Sequence, residues 1–256
     1  MNKIAKLLLA LLSTFMFSNC AGNLGGGKIS PQQENALGEQ QARQVLSKVR
    51  LSRNPRMNRA VKNAGARIAR VANRPDFKWR YYLVDNPKVA NAFVLPGGKV
   101  FVYTGLFKYV SNEAELASVI GHEVTHALKS HGVKGAQRKQ NAGLLGMVLN
   151  VGMGVAGVNR QTAQQVNKVY GQGATLGYIR PYSRQNETEA DSIGLMLMAR
   201  AGYDPRAALS FWNKFAKQGQ RVPEYMSTHP SSAHRIQNLR ALMPRALALY
   251  NKRRRR

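Results

Sequence analysis

The segment His122-Glu123-Val124-Thr125-His126 constrains this chain more than any other. An α-helix turns by about 100° per residue, so the two histidines lie only about 40° apart around the helix and one turn apart along it. Both imidazoles can therefore reach one metal ion, while Glu123, at the edge of the same face, can contact a water molecule bound to that ion. The segment predicts a hydrolytic zinc centre with Glu123 as general base.

The flanking residues predict a helix over about 112–130. Asn112 or Ser111 can cap its start, and Glu113 and Glu115 lie near the positive end of the helix dipole. The alternative is a structural helix whose histidines are incidental. Three apolar side chains continue one face at helical spacing: Leu116, Val119 and Ile120.

A catalytic zinc needs a third protein ligand and an open position for water. His131 lies about 180° around the helix from His122, so we expect it to point away from the metal and not to be a ligand, unless the helix ends early. Glu187 and Asp191 begin a second helical pattern and share one face, whereas Glu189 lies off that face. We predict that Glu187 binds the metal and Asp191 accepts the N–H of a liganding histidine, with the reverse assignment as the alternative. The alternative is an exposed acidic first turn favoured by the helix dipole, but only 12 residues of the chain are acidic and three of them fall within 187–191.

Short β-prone runs precede the metal helix. Residues 91–95 and 99–103 are joined across Pro96-Gly97-Gly98, which predicts a hairpin, and residues 79–84 predict another strand. A strand at the edge of such a sheet can bind an extended peptide through its backbone. The alternative is an ordinary hairpin that packs Phe93 against Phe101.

Four segments carry a resemblance to a known family. They are the His-Glu-x-x-His helix, the run 91–106, Ser183-Arg184 leading into 187–191, and Thr228-His229-Pro230 followed by Arg235-Ile236. Together they resemble the zinc endopeptidases that include the CAAX prenyl endoprotease, the mitochondrial inner-membrane stress protease, and bacterial periplasmic or lipoprotein quality-control metalloproteases. The resemblance spans about residues 33–242.

The resemblance implies a fold and a set of roles. The expected fold is α+β and mainly helical, a zincin-like metalloprotease domain with a short antiparallel sheet. One zinc ion per chain would be bound by His122, His126 and Glu187, with Glu123 as base and acid and Asp191 supporting a ligand.

Further site residues follow from the same resemblance. Asn91, Ala92 and Phe93 would form the edge to which a protein or peptide substrate adds. His229 would donate a hydrogen bond to the oxyanion, and Tyr182 is the alternative donor.

The N-terminal residues predict export. Lys3 and Lys6 precede a mostly apolar run at 7–17, which is too short to span a bilayer and fits a secretory signal. The only cysteine, Cys20, lies where a bacterial lipoprotein would be processed and lipidated, although Asn19 departs from the usual small residue. The alternative is a signal cut elsewhere beside an incidental cysteine. We expect residues 1–20 to be the signal, 21–30 a tether, 31–250 the peptidase domain and 251–256 a basic tail.

The chain is strongly basic, with 39 Lys and Arg against 12 Asp and Glu. Such a chain is attracted to anionic surfaces, here an anionic lipid, an acidic envelope polymer or an acidic substrate, although a solvated basic surface is the simpler reading. Because no nucleic-acid-binding pattern is evident, we expect no nucleic acid partner. The apolar, Gly-rich segment 142–157 is expected to cover the cleft or lie at an interface.

These features predict an exported zinc endopeptidase, anchored to a bacterial membrane on the periplasmic side. By resemblance, its substrates are misfolded or unassembled envelope proteins. One alternative is an envelope chaperone or binding module that keeps a zinc site with little proteolysis, and another is a polycationic envelope-binding protein. Glu123 argues against the chaperone, because a structural zinc site needs no base beside an open position.

Overall fold

The computed structural model describes residues 29–135, 182–217 and 233–255. Two helices, α1 (Pro31–Leu46) and α2 (Pro55–Val71), precede three strands, β1 (Arg80–Val84), β2 (Ala92–Leu95) and β3 (Lys99–Tyr103). A 3-10 helix (Thr104–Lys108) leads into α3 (Glu113–Leu128), which carries the His-Glu-x-x-His segment. Three helices follow in the later ranges: α4 (Arg184–Arg200), α5 (Arg206–Lys217) and α6 (Ala233–Arg254). The mainly helical α+β fold expected from the sequence is confirmed.

The sheet has the strand order β1-β3-β2. Strands β2 and β3 form the predicted antiparallel hairpin, with Phe93 opposite Phe101. Strand β1 pairs with β3 in parallel, so the sheet is mixed and the expectation of a wholly antiparallel sheet is wrong. The reason is topological. After β1 the chain skips one strand position and forms β2, and the hairpin then turns back and places β3 in the position between them. Gly97 and Gly98 form this turn at φ 64° and 84°, where a side chain would be strained.

Helix α3 is the centre of the fold. It packs against α2, α4 and α5 and also against β2, so the metal segment lies between the helical layer and one edge of the sheet. Nearly every residue from Glu115 to Ala127 is buried, including the polar side chains of the segment. Such burial fixes the backbone from which the metal ligands project.

Several expectations fall outside the described ranges. These are the signal with Cys20, the apolar segment 142–157, and His229. Within the described ranges, no helix combines the length and apolarity needed to cross a membrane.

Candidate metal centre

The start of α3 is fixed by its own first turn and by α5. Asn112 caps the helix by accepting a hydrogen bond from the Glu115 backbone N–H at 2.9 Å. The Glu115 carboxylate in turn accepts from the Ser111 backbone at 2.7 Å, from Ser210 at 2.6 Å and from Lys214. Burial favours the neutral acid, but these hydrogen bonds outweigh it and lower the pKa of Glu115. The observed helix, Glu113–Leu128, lies within two residues of the prediction at each end.

Three potential metal donors converge between α3 and α4. The Nε2 atoms of His122 and His126 lie 3.0 Å apart. One Glu187 oxygen lies 3.4 Å from His122 Nε2, and the other lies 3.4 Å from His126 Nε2. Donor atoms around a tetrahedral zinc ion, each about 2.0–2.1 Å from the metal, would be separated by about 3.3 Å. The three buried residues therefore fit a small tetrahedral cation, as the sequence led us to expect.

The second carboxylate of α4 orients His122. Asp191 Oδ1 lies 3.0 Å from His122 Nδ1, so the ionised carboxylate accepts this N–H and Nε2 faces the other donors. Burial lowers the pKa of His122, but the charge of Glu187 and the hydrogen bond to Asp191 raise it to about 9. A pocket that favours a proton this strongly also favours a metal cation, and zinc would displace that proton.

Arg235 of α6 holds both α4 carboxylates. Its Nε and Nη2 each donate to Asp191 at 2.6 Å, and its Nη1 lies 2.8 Å from Glu187. The guanidinium is buried and lies over the Trp212 ring at 3.9 Å. Burial raises the pKa of Asp191, but Arg235 outweighs this effect and lowers it. Sequence reasoning noticed Arg235 only as part of the C-terminal signature and gave it no role, because nothing local distinguishes it among 39 basic residues.

His131 lies behind His126 and not among the donors. Its Nδ1 is 2.8 Å from His126 Nδ1, and its Nε2 is 2.9 Å from a Glu189 oxygen. Helical periodicity placed His131 opposite the metal only on the condition that the helix continued; α3 ends at Leu128 and the chain then reverses, so His131 lies against His126 and outside the three converging donors. Glu189 lies off the Glu187 face, as predicted, but it reaches the centre through His131.

Tyr182 and Glu123 complete the described part of the site. The Tyr182 ring stacks on His126, with centroids 3.8 Å apart. Burial and the negative charges of Glu123 and Glu187 raise the pKa of the Tyr182 phenol, so it stays a neutral donor. Glu123 is fully buried on α3, one residue after the first liganding histidine.

The proposed substrate edge lies on β2, next to α3. Asn91 is buried, and its Oδ1 accepts from the Ala92 backbone at 2.9 Å. In the part of the chain that the structure describes, Asn91 Nδ2 has no hydrogen-bond acceptor. Phe93 stacks on Phe101 at 4.9 Å, so its side chain belongs to the core of the hairpin. A peptide at this edge would therefore meet mainly the backbone, because the Asn91 and Phe93 side chains are both buried.

Comparisons with known proteins agree with this geometry. The model of peptidase family M48 matches residues 55–243. The beta-barrel assembly-enhancing protease of Yersinia pestis is 33% identical over 232 residues, which cover 86% of this chain and 46% of that protein. The mitochondrial metalloendopeptidase OMA1 of Saccharomyces cerevisiae is 36% identical over 182 residues, 68% of this chain and 49% of that protein. The chain spans about half the length of these curated relatives. With its four characteristic segments and its converging metal donors, this chain belongs to peptidase family M48.

Proposed function

We propose that this chain is a zinc-dependent endopeptidase. The observation that carries the proposal is the convergence of His122, His126 and Glu187 at donor spacings that suit one zinc ion, beside the buried Glu123. Three protein ligands with an open fourth position are typical of catalytic zinc, whereas a structural site uses four. The names of the two relatives, one a protease and the other a metalloendopeptidase, support the same reaction class.

The residues divide the work of peptide hydrolysis. When bound, zinc supplies a Lewis acid for the scissile carbonyl and lowers the pKa of the attacking water. Glu123 takes the proton from that water and passes it to the leaving amine. Glu187 and the two histidines hold the metal, while Asp191 and Arg235 keep His122 in the tautomer that presents Nε2.

Two residues are proposed as oxyanion donors. Tyr182 is supported by its stacking on His126 and by the negative charges of Glu123 and Glu187, which keep its phenol protonated. His229 is supported by its Thr-His-Pro context in the resemblance. A single such donor typically contributes about 10²–10³-fold to the rate.

We propose that the substrate is an extended peptide added along β2. A buried amide without an acceptor costs about 1–3 kcal/mol, and a substrate carbonyl at Asn91 Nδ2 would recover that cost. Asn91→Ala should therefore weaken substrate binding mainly through KM. Ala92 and Phe93 would contribute backbone groups.

The physiological substrates we propose are misfolded or unassembled proteins of the bacterial envelope. Support comes from the identity with proteins named beta-barrel assembly-enhancing protease and from the export features of residues 1–20. We also propose that a lipid on Cys20 anchors the peptidase domain, 31–250, through the tether 21–30. Cys20→Ser should release the protein from membranes, and mass spectrometry that shows an unmodified Cys20 would contradict the anchor.

A basic cavity supports the proposed binding of an anionic envelope surface. The cavity of about 720 Å³ lies where α2, α4 and α6 end, and no carboxylate among the described residues lines it. Arg67 is engaged there by the carbonyls of Ala201 and Gly202. Four further arginines line the same cavity: Arg70, Arg200, Arg253 and Arg254.

Vesicle binding tests this surface. Arg253→Gln with Arg254→Gln should weaken binding to phosphatidylglycerol vesicles and leave the weak binding to phosphatidylcholine unchanged. The matched control is Arg43→Gln with Arg53→Gln, which removes the same charge from exposed positions elsewhere. If both pairs of substitutions weaken vesicle binding equally, the binding depends on net charge and not on this cavity.

The enzymatic proposal is tested by separating metal binding from chemistry. His126→Ala and Glu187→Ala should lose zinc and hydrolysis of an unfolded protein together, while Glu123→Gln should keep one zinc per chain and lose about 10²–10⁴-fold in rate. A zinc stoichiometry near one in Glu187→Ala would refute the assignment of Glu187 as a metal ligand. Zinc-loaded parent protein that suppresses aggregation of an unfolded protein without cutting it would favour the chaperone.

A further inference from the structure

The chain makes an abrupt reversal directly after the second liganding histidine. Helix α3 ends at Leu128, and Ser130 adopts φ 50°, a conformation that non-glycine residues rarely take. The Ser130 hydroxyl donates to Glu34 at 2.8 Å and ties the reversal to α1. A new helical turn then begins at His131. This fixed reversal places a buried imidazole against the side of His126 that faces away from the metal donors.

The hydrogen-bond chain that follows has one consistent assignment of protons. An ionised carboxylate only accepts, so the contact between Glu189 and His131 Nε2 puts a proton on that nitrogen. Lys129, 2.7 Å from the other Glu189 oxygen, favours the ionised state. A neutral His131 then presents Nδ1 as an acceptor, so at the 2.8 Å contact His126 must donate its Nδ1–H. His126 Nε2 is thereby kept as a lone pair toward His122 and Glu187.

The arrangement matches the one around the other histidine. His122 Nδ1 is oriented by Asp191, which Arg235 holds in place. His126 Nδ1 is oriented by His131, which Glu189 holds in place. Both Nε2 atoms therefore face the same point. The partner of His122 is a carboxylate in direct contact, and the partner of His126 is an imidazole that a carboxylate holds in place.

We propose that His131 and Glu189 are positioning residues for His126, a two-residue relay that fixes the metal-binding tautomer and the ring orientation of this ligand. The inference rests on the proposed zinc-binding function. His131 is not a ligand itself, since both of its ring nitrogens are engaged on the far side of His126. The competing explanation is a buried histidine with a surface ion pair that contributes only to folding.

Paired substitutions at each position separate the two explanations. Asn at position 131 can place its side-chain oxygen near the site of Nδ1 and keep an acceptor for His126, whereas Leu removes the acceptor. His131→Leu should raise the zinc Kd by about 10–100-fold, and His131→Asn should recover most of that loss. Glu189→Gln should raise the Kd by a smaller factor, because the amide keeps an accepting oxygen. Asp204→Asn, which removes another partly exposed, ion-paired carboxylate, is the matched control and should leave the Kd within twofold.

Zinc affinity would be measured by chelator competition on the full chain, and the His126 tautomer by ¹⁵N chemical shifts of the zinc-loaded protein. A zinc Kd for folded His131→Leu within twofold of the parent, or ¹⁵N shifts that place the His126 proton on Nε2, would overturn the relay. If His131→Leu does not fold without zinc, the Glu189→Gln affinity and the ¹⁵N shifts of the parent decide the matter. Neither measurement uses hydrolysis. If the zinc affinities and the His126 tautomer are as expected but the protein hydrolyses no substrate, the proposed enzymatic function is refuted while the relay is still supported.

Discussion

Substituting Gly194 by alanine should separate the two helices that carry the proposed metal ligands. Helices α3 and α4 approach closely where Gly121, just before His122, meets Gly194, three residues after Asp191. A Cβ on Gly194 would lie 2.8 Å from the His122 backbone nitrogen and 2.9 Å from the Gly121 carbonyl carbon. Both neighbours are backbone atoms of a buried helix, so no flexible side chain can yield.

The size of the effect follows from these distances. Carbon atoms reach optimal contact at about 3.5–4.0 Å, so the helices must move apart by roughly 0.5 Å or more. Metal sites tolerate distance errors of only about 0.2 Å, and Glu187 moves with α4 while the histidines move with α3. We expect the zinc Kd to rise by about 10–100-fold, as it does when the support of a ligand is removed. Overpacking costs about 1–3 kcal/mol and the helix propensity of alanine returns about 1 kcal/mol, so the net loss of stability is at most about 2 kcal/mol.

Two comparisons make the test specific. Gly135→Ala is the control, because that glycine is also helical but a Cβ there meets no atom of the described residues within 4 Å. Gly121→Ala should be milder than Gly194→Ala, since its Cβ meets only one atom closer than 3.5 Å, the Gly194 carbonyl oxygen at 2.9 Å. Chelator competition gives the zinc Kd and thermal melting gives the stability. A Gly194→Ala protein that binds zinc as tightly as Gly135→Ala and melts no lower would refute the argument that this contact sets the donor spacing.

Three further predictions concern Arg235, Glu115 and His229. Arg235→Lys should weaken zinc binding about tenfold in chelator competition, because a lysine cannot make the bidentate contact to Asp191. An unchanged zinc Kd would show that Arg235 does not support the metal site through Asp191. Glu115→Gln should lower the unfolding free energy by about 1–3 kcal/mol at pH 7, a modest loss because Lys214 is partly exposed. Since folding lowers the pKa of Glu115, its stabilising effect exists above the unfolded pKa of about 4.3 and is lost as the pH falls, so denaturant melts of parent and variant should converge in acid. We also propose that the His229 imidazole occupies the water position of the metal at rest. His229→Ala in zinc-loaded enzyme should therefore either lower the maximal rate by about 10²-fold, through loss of the oxyanion donor, or raise cleavage of an unfolded substrate, through loss of this block; unchanged kcat and KM would place His229 outside the mechanism.

Local sequence rules predicted the elements whose signals are local. The start of α3 was predictable because Asn112 and the acidic first turn are adjacent in sequence to the helix that they cap. Helical spacing also separated Glu187 and Asp191 from Glu189. The hairpin at 92–103 was predictable from its turn residues. The parallel pairing of β1 with β3 was not, because it depends on how the chain crosses from β1 to the hairpin, which no local sequence pattern specifies.

The residues that sequence reasoning missed act across long separations. Arg235 contacts a carboxylate 44 residues away, and His131 contacts one 58 residues away. Helical periodicity could place His131 only for a helix that continues, and α3 ends at Leu128, so the contact of His131 with His126 was not predictable. The reversal at Ser130 depends on a hydrogen bond to Glu34, which lies 96 residues earlier in the chain and belongs to a different helix. No window of local sequence contains that partner.

The structure of α4 explains why three acidic residues are concentrated within five positions. Glu187 faces the metal donors, Asp191 lies one turn further on against His122, and Glu189 reaches His131 from another side of the same helix. One rigid element thus supplies a proposed metal ligand together with the partners of both histidine ligands. A shift of α4 against α3 would disturb all three contacts at once, and the two helices pack backbone to backbone at Gly121 and Gly194. Zinc affinity should therefore depend on the packing of the two helices as strongly as on the residues that orient each ligand.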